Sequence, residues 1–153
     1  MPLPDPPVEA LAAWMHERLR DRLDTGSPWR RTAYADLPEE IKAANREQVL
    51  AAVDHLRSLG LRVEATGTPH DPVIELTAEE VDAAARAEHE RWVAAKTAAG
   101  YRHGRPRDDG ARVHPDLEPW EALDEATRDR DRDRVRMAPF LAARLGYSVS
   151  RPA

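Results

Sequence analysis

Four segments of the chain are predicted to be helical. In residues 8–23 the apolar positions are three or four residues apart, the spacing that places side chains on one face of an α-helix. A second apolar stripe runs over residues 37–59, and helices are also predicted over 77–100 and 123–145. We therefore expect a mainly α fold with four principal helices and a few short β-strands.

Polar start signals precede two of these helices. Asp36 with Glu39, and Thr77 with Glu80, match the capping-box pattern, in which two side chains satisfy each other's backbone N–H groups. Pro38 also fits the first turn of a helix. Both boxes are expected to form at the helix starts.

Glycine and proline mark the helix ends. Gly60, Gly100 and Gly146 follow the helical patterns and supply the left-handed backbone conformation that ends many helices. Pro139 has no N–H and is expected to kink or interrupt the last helix about six residues before its end.

Short strands are predicted after the helices. Residues 61–64 and 73–76 flank the turn-rich stretch 67–71, so they are expected to form a hairpin or two edge strands. Residues 147–149 resemble a last short strand.

The two halves of the chain are copies of one unit. Residues 37–63 align with 123–149 at a constant offset of 86, with eight identities where chance would give roughly two or three. The identical pairs are Leu37/Leu123, Glu39/Glu125, Arg46/Arg132, Val49/Val135, Ala52/Ala138, Leu59/Leu145, Gly60/Gly146 and Val63/Val149.

The first helix of each copy repeats as well. The run 16–18, His-Glu-Arg, matches 89–91 at an offset of 73, so the second copy carries an insertion, the loop 101–117. One helix–loop–helix–strand unit cannot bury its own apolar faces, whereas two tandem copies can pack about a pseudo-twofold axis. A cleft between them is a natural place for a ligand because loops of both copies converge there.

Composition restricts the class of protein. A chain of 153 residues is one domain by size. Its net charge of −5, with interleaved acidic and basic residues, argues against nucleic-acid binding. The absence of cysteine excludes a disulfide framework, a zinc knuckle and a thiol nucleophile.

The N-terminal sequence indicates no export or membrane signal. Residues 1–7 are proline-rich and are expected to be a disordered lead-in to a single domain, 8–153. No apolar run approaches the roughly 18 residues that span a bilayer. We expect a cytoplasmic protein with no membrane partner.

The second copy also carries an ordered series of short motifs. They are 85–92 (Ala-Arg-Ala-Glu-His-Glu-Arg-Trp), 100–104 (Gly-Tyr-Arg-His-Gly), 107–109 (Arg-Asp-Asp), 114–117 (His-Pro-Asp-Leu) and 145–147 (Leu-Gly-Tyr). This series resembles the ryanodine-receptor repeat, or RyR, family, whose pattern is a His-Glu-x-Trp helix, a Gly-Trp-x-Tyr-Gly turn, an acidic loop, His-Pro-x-Leu and a second helix ending in Leu-Gly-Tyr. Residues 77–153 would be the well-matched repeat and 8–76 a degenerate one.

The resemblance implies a mostly helical, paired-repeat fold without known catalysis. In the calcium-release channels of the family, paired repeats resemble an adenine-nucleotide pocket, where the Trp of each His-Glu-x-Trp helix faces the base from opposite sides. That role carries over to Trp92. In the first copy Leu19 holds the aromatic position and would make one apolar wall, with Trp14 and Trp29 as candidates for a second aromatic face.

His89 and Trp92 are three residues apart, so they share one face of a helix. In the functional interpretation Trp92 stacks on a base, and His89 contacts the base or orients the ring. His16 is the matching histidine of the first copy. In the alternative interpretation the pair is a core aromatic beside a hydrogen-bonded histidine.

The inserted loop is dense in polar groups. Its candidate ligand contacts are Tyr101, His103, Arg107, Asp108 and His114, of which the first two stand where the family has Trp and Tyr. Arginines there could bind a phosphate by paired hydrogen bonds. A plain solvated loop is the alternative, and no metal is expected because no ligand pair has metal-site spacing.

Arginine and aspartate alternate along 127–136. The i,i+3 pairs predict a solvated, self-neutralised helix. Arg132, which matches Arg46 of the first copy, is instead a candidate to point toward the cleft.

These observations support two functional hypotheses. The first is a non-enzymatic sensor, without a cofactor, for an adenine-containing or ADP-ribose-like nucleotide. The alternative is a protein-interaction or assembly module, homo-oligomers included, without a small ligand. A nucleotide hydrolase ranks third because neither a nucleophile elbow nor a glycine-rich phosphate loop is present. A sensor requires Trp92 exposed in an open cleft, whereas an interaction module would bury Trp92 and expose an apolar surface elsewhere.

Overall fold

Five α-helices account for most of the described chain. The computed structural model describes residues 6–23 and 27–152. Residues 1–5 of the expected lead-in lie outside the described part, and residues 6–7 belong to the first helix instead. The helices are α1 (Pro6–Leu19), α2 (Glu39–Ser58), α3 (Ala78–Ala98), α4 (Glu125–Arg136) and α5 (Ala138–Arg144). The prediction of a mainly α fold with short strands is confirmed.

Helix α3 has the ends that the sequence predicts. The Glu80 N–H donates to the Thr77 hydroxyl (3.1 Å) and the Thr77 N–H donates to the Glu80 carboxylate (2.9 Å), which completes the capping box. At the other end Gly100 adopts φ 90°. The N–H of Tyr101 then reaches back to the carbonyl of Lys96 (2.9 Å), as in a glycine-terminated helix.

Helix α2 begins differently from the prediction. Asp36 lies in a 3-10 turn, Tyr34–Asp36, and α2 begins after Pro38 with no side-chain cap. The predicted capping box of Asp36 and Glu39 is therefore wrong. The Glu39 carboxylate instead accepts a hydrogen bond from Arg46 (2.6 Å), one that stabilises the helix face rather than its first turn.

Pro139 interrupts the last predicted helix, as expected. Helix α4 ends at Arg136, and α5 starts at Ala138 with Pro139 in its first turn, so that Met137 alone separates the two helices. The start of α4 is fixed by Asp124, whose carboxylate accepts a hydrogen bond from the Thr127 N–H (2.8 Å).

One antiparallel ladder joins the two halves. Strand β1 (Arg62–Ala65) pairs with β4 (Tyr147–Ser150), and Val63 lies directly opposite Val149. These two valines occupy matching positions at the 86-residue offset. Pairing of matching positions with each other is the arrangement that a local twofold axis produces.

The predicted strand at 73–76 is wrong, and with it the hairpin. The segment is extended but belongs to no ladder, because β1 pairs with β4 instead. Its alternating apolar residues, Ile74 and Leu76, still pack against the core. The carbonyl of Glu75 accepts a hydrogen bond from the Arg151 guanidinium (3.0 Å), so a side chain replaces one strand partner.

The inserted loop is ordered by backbone pairing. It contains two short parallel strands, β2 (Arg102–His103) and β3 (Val113–His114). An antiparallel bridge also links Asp108 to Val113, with a hydrogen bond of 2.9 Å in each direction.

The main core lies among α1, α2, α5, β1 and β4. Its most deeply buried side chains are Leu56, Leu141 and Val49. A smaller cluster, Val81, Ala84, Ala85 and Val135, joins α3 to α4. Among the described helices, none is both long and apolar enough to cross a membrane.

Matching histidines make matching bonds in the two copies. His16 Nε2 lies 2.7 Å from the carbonyl oxygen of Thr32, and His89 Nε2 lies 2.6 Å from that of Glu118. A carbonyl can only accept, so each Nε2 carries the proton and donates. In each copy the histidine of the first helix thereby holds the segment that leads into the second.

Candidate functional site

A cavity of about 550 Å³ lies between the two halves of the chain. Helices α1 and α2 line it from the first half and α3 and α4 from the second, and residues of the inserted loop complete the lining. This volume is within the range of about 300 to 1,000 Å³ typical of small-molecule sites. Of the predicted contacts, those that line it are His16, Leu19, His89, Trp92, Arg107 and His114.

Helices α2 and α3 run antiparallel beside the cavity. A buried bond between His55 Nε2 and Glu88 Oε2 (2.6 Å) joins them at one end. At the other end Glu40 acts electrostatically on Lys96. Between these ends, the lining side chains recur every three or four residues and include Ile41, Ala44, Asn45 and Gln48 of α2 and Arg91, Trp92 and Ala95 of α3.

Trp92 is half-buried and lies between two histidine rings. It stacks on His89 with ring centres 5.9 Å apart and planes at 27°, and it meets His114 edge-on at 4.8 Å and 76°. These contacts fix the indole plane while part of the ring stays accessible. The result is a rigid aromatic surface that can stack on a flat ligand.

His89 holds Trp92 in place, and its own nitrogens face protein groups. Its Nε2 donates to the Glu118 carbonyl, and its Nδ1 lies 3.7 Å from a carboxylate oxygen of Asp131. Of the two predicted roles, contacting the base or orienting the ring, this geometry fits the second.

Asp131 is a buried carboxyl directly behind this pair. Burial raises the pKa of Asp131, while Arg134 and His89 act in the opposite direction. Arg134 donates to its Oδ1 at 3.1 Å. The carboxyl is therefore already occupied by protein partners.

The first half supplies an apolar wall with one aromatic ring. Met15 and Leu19 are buried there, and Trp29 is half-buried and lines the cavity with them. Trp14 instead packs on Phe140, with ring centres 4.6 Å apart, outside the cavity lining. Trp29, rather than Trp14, is thus the second indole of the cavity.

Six cationic side chains line the cavity, and five of them are paired. The arginines each have a carboxylate within 4.0 Å; they are Arg20, Arg91, Arg107, Arg130 and Arg134. Paired guanidiniums keep further N–H groups for a ligand, because one guanidinium carries five donors.

Lys96 is the sixth cation and differs from the arginines. Its ammonium lies 4.7 Å from the centre of the Tyr101 ring, and it forms no ion pair with any carboxylate in the described part of the chain. Burial lowers the pKa of Lys96, against the attraction of Asp109 and Glu40. An anionic ligand would supply the close partner that the ammonium lacks.

Three predicted loop contacts support the loop instead of lining the cavity. Tyr101 is buried and donates its hydroxyl to Asp109 (3.2 Å). His103 faces Glu118 at 2.9 Å, and Asp108 accepts a backbone N–H inside its own turn. Their polar groups are used in holding the loop, and none of the three lines the cavity.

Arg132 does not point toward the cleft either. It takes part in an ion-pair arrangement that recurs in both copies, and the matching pairs are Arg46–Glu9 with Arg132–Asp82, and Arg46–Glu39 with Arg132–Glu125. Because carboxylates of two helices hold the guanidinium, its role is structural. The predicted i,i+3 pairs of α4 are confirmed, Arg132 with Asp129 (2.8 Å) among them.

Sequence reasoning missed Asn45 and Lys96. Lys96 follows Trp92 by four residues, so helical spacing alone could have indicated it. Asn45 has no such local signal. Its importance appears only in the structure, where Asn45 lines the cavity and its Nδ2 is buried without a hydrogen-bond partner among the described residues.

The chemistry of the cavity suits a ligand with a flat ring and a negative charge. Two indoles offer stacking surfaces, while an ammonium and several guanidiniums offer charge-assisted hydrogen bonds. Within the described residues, no group of three or more His, Asp or Glu side chains is placed to hold a metal ion.

The second half of the chain matches a known family. A model of the RyR domain matches residues 73–151, just over half of the sequence, and this segment includes α3, the inserted loop, α4, α5 and β4. No curated protein sequence matches the chain. On the family match, the chain belongs to the RyR domain family.

Proposed function

We propose that this protein is a non-enzymatic ligand-binding module whose ligand is an adenine-containing or ADP-ribose-like nucleotide held between the two repeats. The observation that carries the proposal is one cavity lined by Trp92, Trp29 and Lys96, whose ammonium forms no ion pair within the described residues. Indole faces bind bases by stacking, and cations bind phosphate oxygens. The module would act in the cytoplasm, as a sensor of that nucleotide.

Two features support a binding role over catalysis or assembly. His89 and Asp131, the buried titratable groups behind Trp92, already face protein partners, so neither is free to activate a water molecule. The large apolar side chains exposed on the described surface are Leu50 and Val73, on different segments, which favours a ligand over a contiguous protein-docking surface.

The test is a binding panel with a tryptophan variant. Melting temperature and calorimetric titration would be measured with ATP, ADP, AMP, NAD, ADP-ribose and cyclic nucleotides, for wild type, Trp92→Ala and Trp92→Phe. Ligand at about 100 times its Kd stabilises a fold by about 2.7 kcal/mol, so we expect melting to rise by about 5–10 °C. Trp92→Ala should lose most of this rise, and Trp92→Phe should keep much of it.

A matched control separates stacking from general damage. Leu50→Ala changes an exposed side chain of α2 that does not line the cavity, and it should bind like wild type. If no nucleotide of the panel binds wild type, or if Trp92→Ala binds as tightly as Leu50→Ala, the proposal is overturned.

A further inference from the structure

Asn45 carries a buried polar group that no described residue satisfies. It lies on α2, on the face that lines the cavity, one turn beyond Ile41. Its Nδ2 is buried and makes no hydrogen bond to any described residue. A buried donor without a partner costs free energy, so native structures rarely keep one without a compensating role.

The matching position of the second repeat shows the contrast. Asn45 corresponds to Asp131 at the 86-residue offset. Asp131 is buried as well, but Arg134 bonds its carboxylate and His89 lies beside it. The same place in the fold is therefore satisfied internally in the second repeat, whereas in the first repeat a residue of the cavity lining keeps a buried donor that no described residue satisfies.

We propose that Asn45 is the specificity-determining residue of the site and recognises the edge of an adenine ring. This inference rests on the proposed nucleotide binding. Turned toward the cavity, the carboxamide presents a donor beside an acceptor, which matches adenine: Nδ2–H donates to N7 while Oδ1 accepts from the N6 amino group. The stacking surfaces of Trp92 and Trp29 hold any flat base, so selection among bases needs such an edge contact.

Hypoxanthine distinguishes an edge contact from simple stacking. It has the size and shape of adenine, but an oxygen replaces the N6 amino group. Both of its atoms on that edge then accept hydrogen bonds, so one of them must face Oδ1 of Asn45. A site whose hydrogen bonds match the donor and acceptor of adenine rejects the two acceptors of hypoxanthine, because buried polar groups are then left unpaired.

The test compares ADP with inosine 5′-diphosphate by calorimetric titration, in wild type and Asn45→Leu. Wild type should bind ADP at least about tenfold more tightly, and Asn45→Leu should bring the two affinities within about twofold, mainly by weakening ADP. Leu50→Ala, on the same helix, should keep the wild-type preference. If Asn45→Leu weakens both ligands equally, Nδ2 binds a shared group such as phosphate and the base-edge assignment is overturned.

Two further outcomes distinguish a failure of this inference from a failure of the proposed function. If wild type binds neither diphosphate, the proposed function fails and this inference with it; if wild type binds ADP and the preference survives in Asn45→Leu, this inference alone fails. Melting of the ligand-free proteins adds a structural check. Because Nδ2 has no hydrogen-bond partner in the described part of the chain, Asn45→Leu should melt no lower than wild type, and a fall of several degrees would assign Asn45 to the fold instead.

Discussion

The two lysines of the chain form a natural matched pair. Lys42 and Lys96 each lie over a tyrosine ring, at 5.6 Å from Tyr34 and 4.7 Å from Tyr101 respectively. Only Lys96 lines the cavity. Substituting each in turn therefore separates the effect of charge at the cavity from the loss of a lysine–aromatic contact.

Lys96→Met should weaken ADP binding by about tenfold or more, the value of one charge-assisted hydrogen bond. It should also flatten the dependence of affinity on salt concentration, because one cation facing the ligand is removed. Lys42→Met should do neither. Titrations at low and high salt would measure both effects, and equal losses in the two variants would contradict a phosphate contact by Lys96.

Glu88 is a buried carboxylate that joins the two halves. It bonds His55 of α2 and receives two hydrogen bonds from Arg91, at 2.5 and 2.9 Å. Burial acts to raise the pKa of Glu88, but the bonds from Arg91 and His55 outweigh it and lower the pKa from 4.5 to about 2. The ionised group is thus favoured by folding.

This shift predicts an acid-dependent stability. A carboxyl with a lowered folded-state pKa stabilises the protein above its unfolded value of 4.5, and the stabilisation is lost as pH falls from there toward 2. Glu88→Gln should therefore cost about 3 kcal/mol of unfolding free energy near pH 7, and less at pH 3. Urea unfolding of wild type and Glu88→Gln at both pH values would measure this loss of unfolding free energy. An equal loss at pH 7 and pH 3 would contradict the assignment to Glu88.

Residues of the site were predictable where the spacing along a single helix determines which side chains share a face. His89 and Trp92 share a helix face by spacing alone, and both line the cavity. Trp29 and Asn45 reach the cavity because segments distant in sequence pack together, so local pattern could name Trp29 only as one option and did not single out Asn45. Tyr101 and His103 stand where the family series has Trp and Tyr, but both support the loop, since a position in a motif does not fix where a side chain points.

At the scale of elements, two matching glycines have different surroundings. Gly60 and Gly146 both follow a helix with positive φ, 83° and 89°. A Cβ at Gly60 would meet open space, whereas one at Gly146 would lie 3.3 Å from backbone atoms of Gly67 and Thr68. The same substitution therefore adds only backbone strain at one site, and strain plus a tight contact with the neighbouring backbone at the other.

Gly60→Ala should cost about 1 kcal/mol, the usual penalty of a left-handed alanine. Gly146→Ala should cost at least about 1 kcal/mol more, because the Gly67 backbone must move away. Denaturant midpoints of the two variants would show the gap. Equal midpoints would mean that the close approach of Gly67 to Gly146 is not maintained in solution.

Elements were predictable where the signal is local and unopposed. The Thr77–Glu80 box forms because the Glu80 carboxylate accepts from the Thr77 N–H and from Arg151 together. Glu39 instead bonds Arg46, and Asp36 lies in a 3-10 turn. The segment 73–76 has strand-like alternation, but its expected partner β1 pairs with β4 instead. The sequence pattern indicates which conformation a segment itself prefers, but it does not show which segments compete for the same hydrogen-bonding partner.

At the scale of the whole molecule, the repeat offsets carried the most information. The 86-residue offset matches Val63 with Val149, which pair in one ladder, and the inserted loop that the offsets locate contributes to the cavity lining. The position of a cleft therefore followed from sequence, because packing two copies against each other leaves an opening between them. The charges that line the cleft could not be predicted, because Arg91 and Arg134 come together there only in the assembled fold.

The β1–β4 ladder has a consequence for chain connectivity. Each half of the protein contributes one strand, and neither strand has another partner within the described residues. The main core likewise draws residues from both halves. The noncovalent contacts that hold the halves together therefore do not depend on the exposed peptide between Asp71 and Pro72.

A chain cleaved at a protease site inserted between Asp71 and Pro72 should remain assembled, because the ladder and the shared core persist without that bond. Gel filtration of the nicked protein should give the elution volume of the intact chain, and separate fragments would show that the halves are held by their linker alone. The peptide connection would then act mainly through effective concentration: it keeps one repeat close to the other, while complementarity between the repeats determines the shape.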